Sequence, residues 1–370
     1  MKFTTNREQI AESLQNAAAV AERRQTIPIL SNIRLKAESG RLEVTATDLE
    51  IQLKAICEVQ NLDEEGETTV SARKMAELCR SLPANENVNF EIKDGKLHVN
   101  SKNFNADFAT ISADDFPEIE ITEEVTKLNL MASSLKHVLN KTSFSMASQD
   151  VRYYLNGMLI EINSNNLKSV ATDGHRLAMA SIKNKVNSKN DSKEHSNILP
   201  RKAVLELAKL LPLSEDEVTV ELGPSFISFV TDSLTFSTKL VDGKYPDYEK
   251  VFPTGDARPL KIDKNELQAA LTRASVLSNE KYRGVKFELS DSTLKLVANN
   301  PEQESAEEEM EVLYSSDSLE VGFNIGYLLD VLGVIESDTV EFVFYGQDAS
   351  CLIREPESDS EVYVIMPMRL

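Results

Sequence analysis

The chain has 370 residues, of which 41% are hydrophobic and 27% charged, and its formal net charge is −20. That length exceeds what one hydrophobic core usually supports, so two or three globular domains are expected. A uniformly acidic surface would repel nucleic acid, so any contact with phosphate has to come from a local basic face.

Other classes are excluded as quickly. No run approaches the roughly 18 apolar residues of a membrane span. Met1–Ile10 lacks the apolar stretch of a signal peptide, which points to the cytoplasm. Cys57, Cys79 and Cys351 are scattered and odd in number, so neither a disulfide framework nor a metal knuckle follows.

In chain order, residues 3–24 open on Thr5–Glu8 with capping-box spacing. Apolar Ile10, Leu14, Ala17, Ala18 and Ala21 continue at helical intervals. A strand pair follows, Asn32–Ala37 with Arg41–Thr45, and runs into the polar corner Ala46-Thr47-Asp48. A second helix starts at Ser71, carries Arg73 and Lys74 in its first turn and stops at Pro83. Strands Val88–Ile92 and Lys96–Val99 then flank Asp94-Gly95, a strong hairpin signal.

The same order recurs twice. Ser133–Leu139 begins a helix, Gly157–Ile162 and Leu167–Val170 pair, the corner is Ala171-Thr172-Asp173, and Leu199–Pro212 repeats the basic first turn. Asp263–Leu271 begins the third copy, Gly284–Leu289 pairs with Leu294–Val297, the corner is Ala298-Asn299-Asn300, and Asn324–Gly333 is its second helix. The corners lie about 125 residues apart, a domain rather than a solenoid period. The expected architecture is therefore α+β, three similar domains spanning 1–125, 126–254 and 255–370, each an α-β-β-β unit written twice with two helices against an antiparallel sheet.

With the three repeats, the segments Gln149–Met158, Ala171–Ala178, Leu277–Lys281, Asn299–Gln303 and Met366–Leu370 resemble the bacterial DNA sliding clamps, the beta subunits of DNA polymerase III. The resemblance covers the whole chain, with a local insertion at Lys183–Asn197. It implies a head-to-tail homodimer closed into a six-domain ring around double-stranded DNA, with helices lining the hole. It implies a non-catalytic processivity factor of DNA replication, without cofactor or metal. Its partners would be the replicative polymerase, an ATP-driven clamp loader, and other polymerases and repair proteins that bring short peptide motifs.

Carried over position by position, the resemblance puts DNA contacts at Arg24, Arg73, Gln149, Tyr153 and Tyr154. It puts a partner-peptide pocket at Leu155, Thr172, Gly174, His175, Arg176, Leu177, Pro246, Val251, Ser350, Val364, Met366, Pro367, Met368 and Arg369. Phe108, Val276 and Leu277 fall at the subunit contact. Lys250, Asp348 and Ala106 depart from better-known members.

Other readings carry less. Asp173, His175 and Arg176 suggest acid–base work, but no nucleophile accompanies them and the corners at Asp48 and Asn300 lack a following His. His98, His137, His175 and His195 are isolated, and no phosphate-binding Gly-rich loop with Lys-Ser/Thr occurs. A DNA-modifying enzyme and a protein scaffold without DNA are the alternatives.

Overall fold

The computed structural model describes residues 1–21, 27–119, 125–163, 166–183 and 195–369. Among them are six α-helices: α1 (Arg7–Val20), α2 (Ala72–Ser81), α3 (Ala132–Thr142), α4 (Arg201–Leu210), α5 (Lys264–Ser275) and α6 (Ile325–Val334). The insertion expected at Lys183–Asn197 lies largely outside the described residues.

One expectation needs correction. Every helix is entered from a strand, so the half-repeat is not α-β-β-β but has a leading strand as well. Lys2–Asn6, Thr126–Met131 and Arg258–Asp263 precede the first helices; Gly66–Ser71, His195–Pro200 and Leu319–Asn324 precede the second. Lys2–Asn6 alternates between solvent and core and pairs antiparallel with Asn87–Lys93, where Phe3 opposes Phe90 and the two rings stack at 4.7 Å. Thr5 is thereby committed to the ladder, and the helix cap moves on by one residue. Asn6 accepts from the Glu8 N–H at 2.9 Å and donates its own N–H to Gln9 at 3.4 Å. The cap read at Asp263 stands: its carboxylate accepts from the Glu266 N–H at 2.8 Å.

By internal contacts the described chain forms two compact units: residues 1–133 with 205–240, and residues 134–183 with 195–204 and 241–369. The division does not follow the three repeats because main-chain pairing crosses from one repeat to the next.

In the first unit, thirteen strands form one antiparallel sheet. Its seam joins Leu234–Lys239 to Ile51–Glu58, with Leu234 opposite Ala55 and Phe236 opposite Leu53. α1 buries Ile10, Leu14, Ala17 and Val20, and packs on α2 and the Ile51–Glu58 strand. Arg7 donates to the carbonyls of Cys79 and Arg80 at 2.9 and 3.1 Å, so a cation caps the end of α2. The Asp94-Gly95 hairpin is present, both residues having positive φ as a tight two-residue turn requires.

The second unit holds an eight-stranded and a four-stranded sheet. The eight-stranded sheet has its own seam, Arg176–Lys183 against Glu361–Ile365. α5 turns Leu267, Ala270, Leu271 and Ala274 into a core built around Phe287, Phe323, Phe342 and Phe344, with ring centroids 5.4–6.3 Å apart. Lys264 repeats the Arg7 device, donating to the Ile335 carbonyl beyond α6 at 3.0 Å. Both units thus bury helices against antiparallel strands, the α+β class expected.

Candidate partner-binding site

The corner that recurs in the sequence is also a recurring structure. Asp173 accepts at one carboxylate oxygen from the N–H groups of His175 and Arg176, at 2.9 and 3.0 Å. Thr172 donates its hydroxyl to the Arg176 carbonyl at 2.6 Å and accepts from the Gly174 N–H at 3.1 Å. Thr47 and Asp48 make the same four bonds to Ile51, Leu49 and Glu50. Short polar side chains that bond their own backbone are what such a turn needs. Gly174 sits at φ +88°, and a Cβ there would stand 2.9 Å from the Arg152 guanidinium.

Asp173, His175 and Arg176 therefore do structural work. One oxygen of the Asp173 carboxylate serves backbone donors, and the other receives Arg176 Nε at 3.1 Å. Arg176 also donates to Asp330 at 2.5 Å and to the Phe144 carbonyl at 2.7 Å, and lies over the Tyr327 ring, 4.4 Å from its centroid. Its guanidinium is turned into the unit, locking the corner. His175 is exposed, and its carbonyl accepts from the Met366 N–H at 3.0 Å.

From this corner the Arg176–Lys183 strand runs beside the final strand, with Leu177 opposite Val364. Both are buried in one apolar cluster with Leu159, Val170, Ile198, Tyr245 and Tyr248. Half-buried Tyr154, Met179, Val241, Val251 and Phe252 complete its margin. The chain then leaves the sheet: Met366 is 41% exposed, Pro367 half-buried, and the Met368 N–H bonds the Gly322 carbonyl at 2.8 Å. The result is an apolar floor bounded by a rigid turn and an exposed methionine.

The tyrosines are fixed by polar contacts as well as burial. The Tyr245 hydroxyl accepts from the Thr172 N–H at 3.1 Å, and burial pushes its pKa well up. Tyr248 donates to Glu161 at 2.9 Å and accepts from Lys168 at 3.0 Å; burial is again the main cause of its raised pKa. Both stay neutral hydroxyls at any physiological pH.

Of the residues carried over, Leu177, Val251 and Val364 share the cluster, while Thr172, Gly174, His175 and Met366 are joined by the corner. Leu155 is buried in a short turn, Tyr153–Asn156, and is not among the cluster residues. Pro246 and Arg369 are exposed, and Ser350 is half-buried just ahead of the Cys351–Arg354 strand. Tyr245, Tyr248 and Met179 were missed as walls. The one cue was the pair of tyrosines flanking Pro246.

The DNA set is less uniform. Arg24 lies outside the described residues. Arg73 is exposed in the first turn of α2 and pairs with Glu77 at 2.7 Å. Gln149 is exposed at φ +59°, Val151 is 96% exposed and Tyr153 57%, so this turn presents its side chains to solvent. Asp150 ties the turn down through the Arg152 N–H, Nε and Nη2 at 2.8, 3.0 and 2.9 Å. Those bonds lower the Asp150 carboxyl to about 2. Tyr153 and Tyr154 meet edge to face at 5.8 Å.

At the expected subunit contact, Val276 is 78% exposed just past α5, Leu277 is half-buried, and Phe108 is half-buried in the Phe104–Ile111 strand.

Against known proteins, residues 1–120, 129–247 and 249–369 match the N-terminal, central and C-terminal domains of the DNA polymerase III beta subunit. The chain belongs to that family. It is 46% identical to the beta sliding clamp of Pseudomonas aeruginosa and 40% identical to that of Escherichia coli K12, in each case over the full length of both chains. The crystal structure of the P. aeruginosa DNA polymerase III beta subunit matches it with a TM-score of 0.95 at 45% identity, again covering both chains fully. The protein is a DNA sliding clamp, a processivity factor of DNA replication built of three family domains.

Proposed function

We propose that two copies close head to tail into a ring around duplex DNA, and that partners dock on the apolar floor beside the Thr172–Leu177 corner. The cuts at 125/126 and 254/255 then separate three structurally equivalent domains. The observation that carries the docking reading is the pairing of buried Leu177 and Val364 with an exposed Met366 at the end of the same strand. An apolar floor beside a methionine takes short segments of differing sequence, because the thioether side chain repacks. Thr172, Gly174, His175, Pro246, Val251, Ser350, Pro367, Met368 and Arg369 frame it, and Leu155 and Arg176 hold the frame from within.

The chain itself is not an enzyme in this reading, since the corner's carboxylate is taken up by its own turn and by Arg176. An ATP-driven loader opens the ring in the cytoplasm. Gln149, Tyr153, Tyr154, Arg73 and Arg24 touch DNA without reading its sequence, so binding weakens with salt and not with base order.

A ligand with two apolar anchors gains about 3–6 kcal/mol before ordering costs, which is micromolar or weaker. Removing Met366–Leu370 tests this by fluorescence polarisation with a labelled peptide carrying one Gln and two apolar anchors. Loss of binding with the dimer intact is expected. Undiminished affinity would move the site elsewhere.

A further inference from the structure

The first unit contains a cleft of about 860 Å³ between α1, the end of α4 and the strands around Leu234. At the corresponding place in the second unit a buried ion-pair bridge ties the elements together. Register makes the comparison exact to the residue. α1 and α3 both start directly after a strand, so Asn16 corresponds to Lys141 and Glu12 to His137. Leu234 faces Ala55 across one seam as Glu361 faces Ala180 across the other. The Leu211 N–H closes α4 on the Leu207 carbonyl, and the Ile335 N–H closes α6 on Val331, so Leu210 corresponds to Val334 and Pro212 to Glu336.

In the second unit these positions form a bridge. Buried Lys141 donates to the Val334 carbonyl at 2.7 Å and pairs with Glu361 at 3.0 Å and Glu336 at 3.1 Å, while His137 holds the other Glu361 oxygen at 2.6 Å. In the first unit all five counterparts, Glu12, Asn16, Leu210, Pro212 and Leu234, line the open cleft. Among the described residues no lysine, arginine or histidine lines it, whereas Glu12, Asp216, Glu217 and Asp232 do. The C-terminal, negative end of α4 points the same way. The ammonium and both of its carboxylate partners are replaced, by Asn16, Leu234 and Pro212, and four other carboxylates line the cleft beside apolar Ile56, Leu207 and Leu234.

We propose that this cleft is a second docking site, for a partner polypeptide that inserts a lysine or arginine flanked by an apolar residue. The cation pairs with the carboxylates that line the cleft, Glu12, Asp216, Glu217 and Asp232, and the apolar neighbour covers Ile56 and Leu234. Charge disfavours nucleic acid here, because the charged side chains that line the cleft among the described residues are all acidic. The site is distinct from the floor beside the Thr172–Leu177 corner and carries the opposite preference, cation before glutamine.

Methyl NMR on the full chain, read at the Ile56 methyl, tests the proposal with the blocked peptide Leu-Lys-Leu-Leu and its Leu-Glu-Leu-Leu analogue. The lysine peptide is expected to shift Ile56 saturably, at least tenfold more tightly than the glutamate peptide and less so at high salt. Asn16→Lys with Leu234→Glu rebuilds the bridge and should abolish that shift. Glu12→Lys, on an exposed position, should do so with no demand on folding. Equal binding of the two peptides, or wild-type binding by Glu12→Lys, overturns the proposal.

Discussion

Replacing Lys141 by Met keeps most of the packing volume and removes one buried charge. The ammonium makes a buried charge-assisted bond to Glu361 and one to the Val334 carbonyl; its pair with Glu336, which is mostly exposed, adds little. Loss of the first two, with Glu361 left on His137 alone, costs about 2–4 kcal/mol. The chain has no tryptophan, so hydrogen exchange is the better reporter. Amides of Ala132–Thr142 and Glu361–Ile365 should exchange about 30- to 900-fold faster. Burial works to raise the Glu361 carboxyl, but bonds from His137 and Lys141 outweigh it and hold its pKa below the ordinary 4.5. A carboxylate lowered on folding contributes stability that is present above 4.5 and is lost as pH falls through the folded value. Wild type should therefore lose protection in that acid window, and Lys141→Met should lose less. Adding Glu361→Leu should recover most of the loss, since an apolar pair can replace a buried ion pair at little cost. A change under threefold for Lys141→Met, or a double variant worse than the sum of the singles, would refute the reasoning.

Val276→Ala with Leu277→Ala should shift the chain to monomer at submicromolar concentration in mass photometry, since each aliphatic burial is worth about 1.5–3 kcal/mol; an unchanged dimer counts against the assignment. Arg73→Ala should lower the salt slope of DNA binding by about one unit, and Glu77→Gln, which frees the guanidinium from its 2.7 Å partner, should strengthen DNA binding. Gly174→Ala should cost about 1–2 kcal/mol in thermal unfolding and weaken peptide binding, because an alanine is strained at φ +88° and displaces Arg152. Unchanged melting would show that the turn relaxes freely.

What was legible in the sequence was local chemistry. Helix periodicity, the Asp94-Gly95 turn and the three corners each depend on residues within a few positions of one another, and all stand in the structure. The leading strands were not legible. Lys2–Asn6 is five residues long, and its pairing with Asn87–Lys93 appears only when distant segments meet. Thr5–Glu8 and Asn6–Gln9 have the same capping spacing, and only the ladder decides between them. The site divides the same way. The Thr172–Leu177 turn announced itself, whereas Tyr245 and Tyr248 become walls through Thr172, Lys168 and Glu161, some 70 to 90 residues away. Arg176 was readable as a pocket residue by position, but its side chain faces Asp330 and Tyr327.

Repetition of a fold does not repeat its sites, and the two seams show why. Position 177 carries leucine, buried against Val364 in an apolar cluster. The equivalent position in the first repeat carries Gln52, whose amide accepts from the Ile119 N–H at 2.9 Å and reaches the Ile119 carbonyl at 3.5 Å. A polar side chain tied to backbone closes the place that, in the proposed docking floor, an apolar one lines. Three residues farther along the same seams the bias reverses: the second unit seals itself with Lys141 and Glu361, and the first carries Asn16 and Leu234 around an open cleft. The backbone sets where a junction can open, and one or two side chains at each seam decide which junction does.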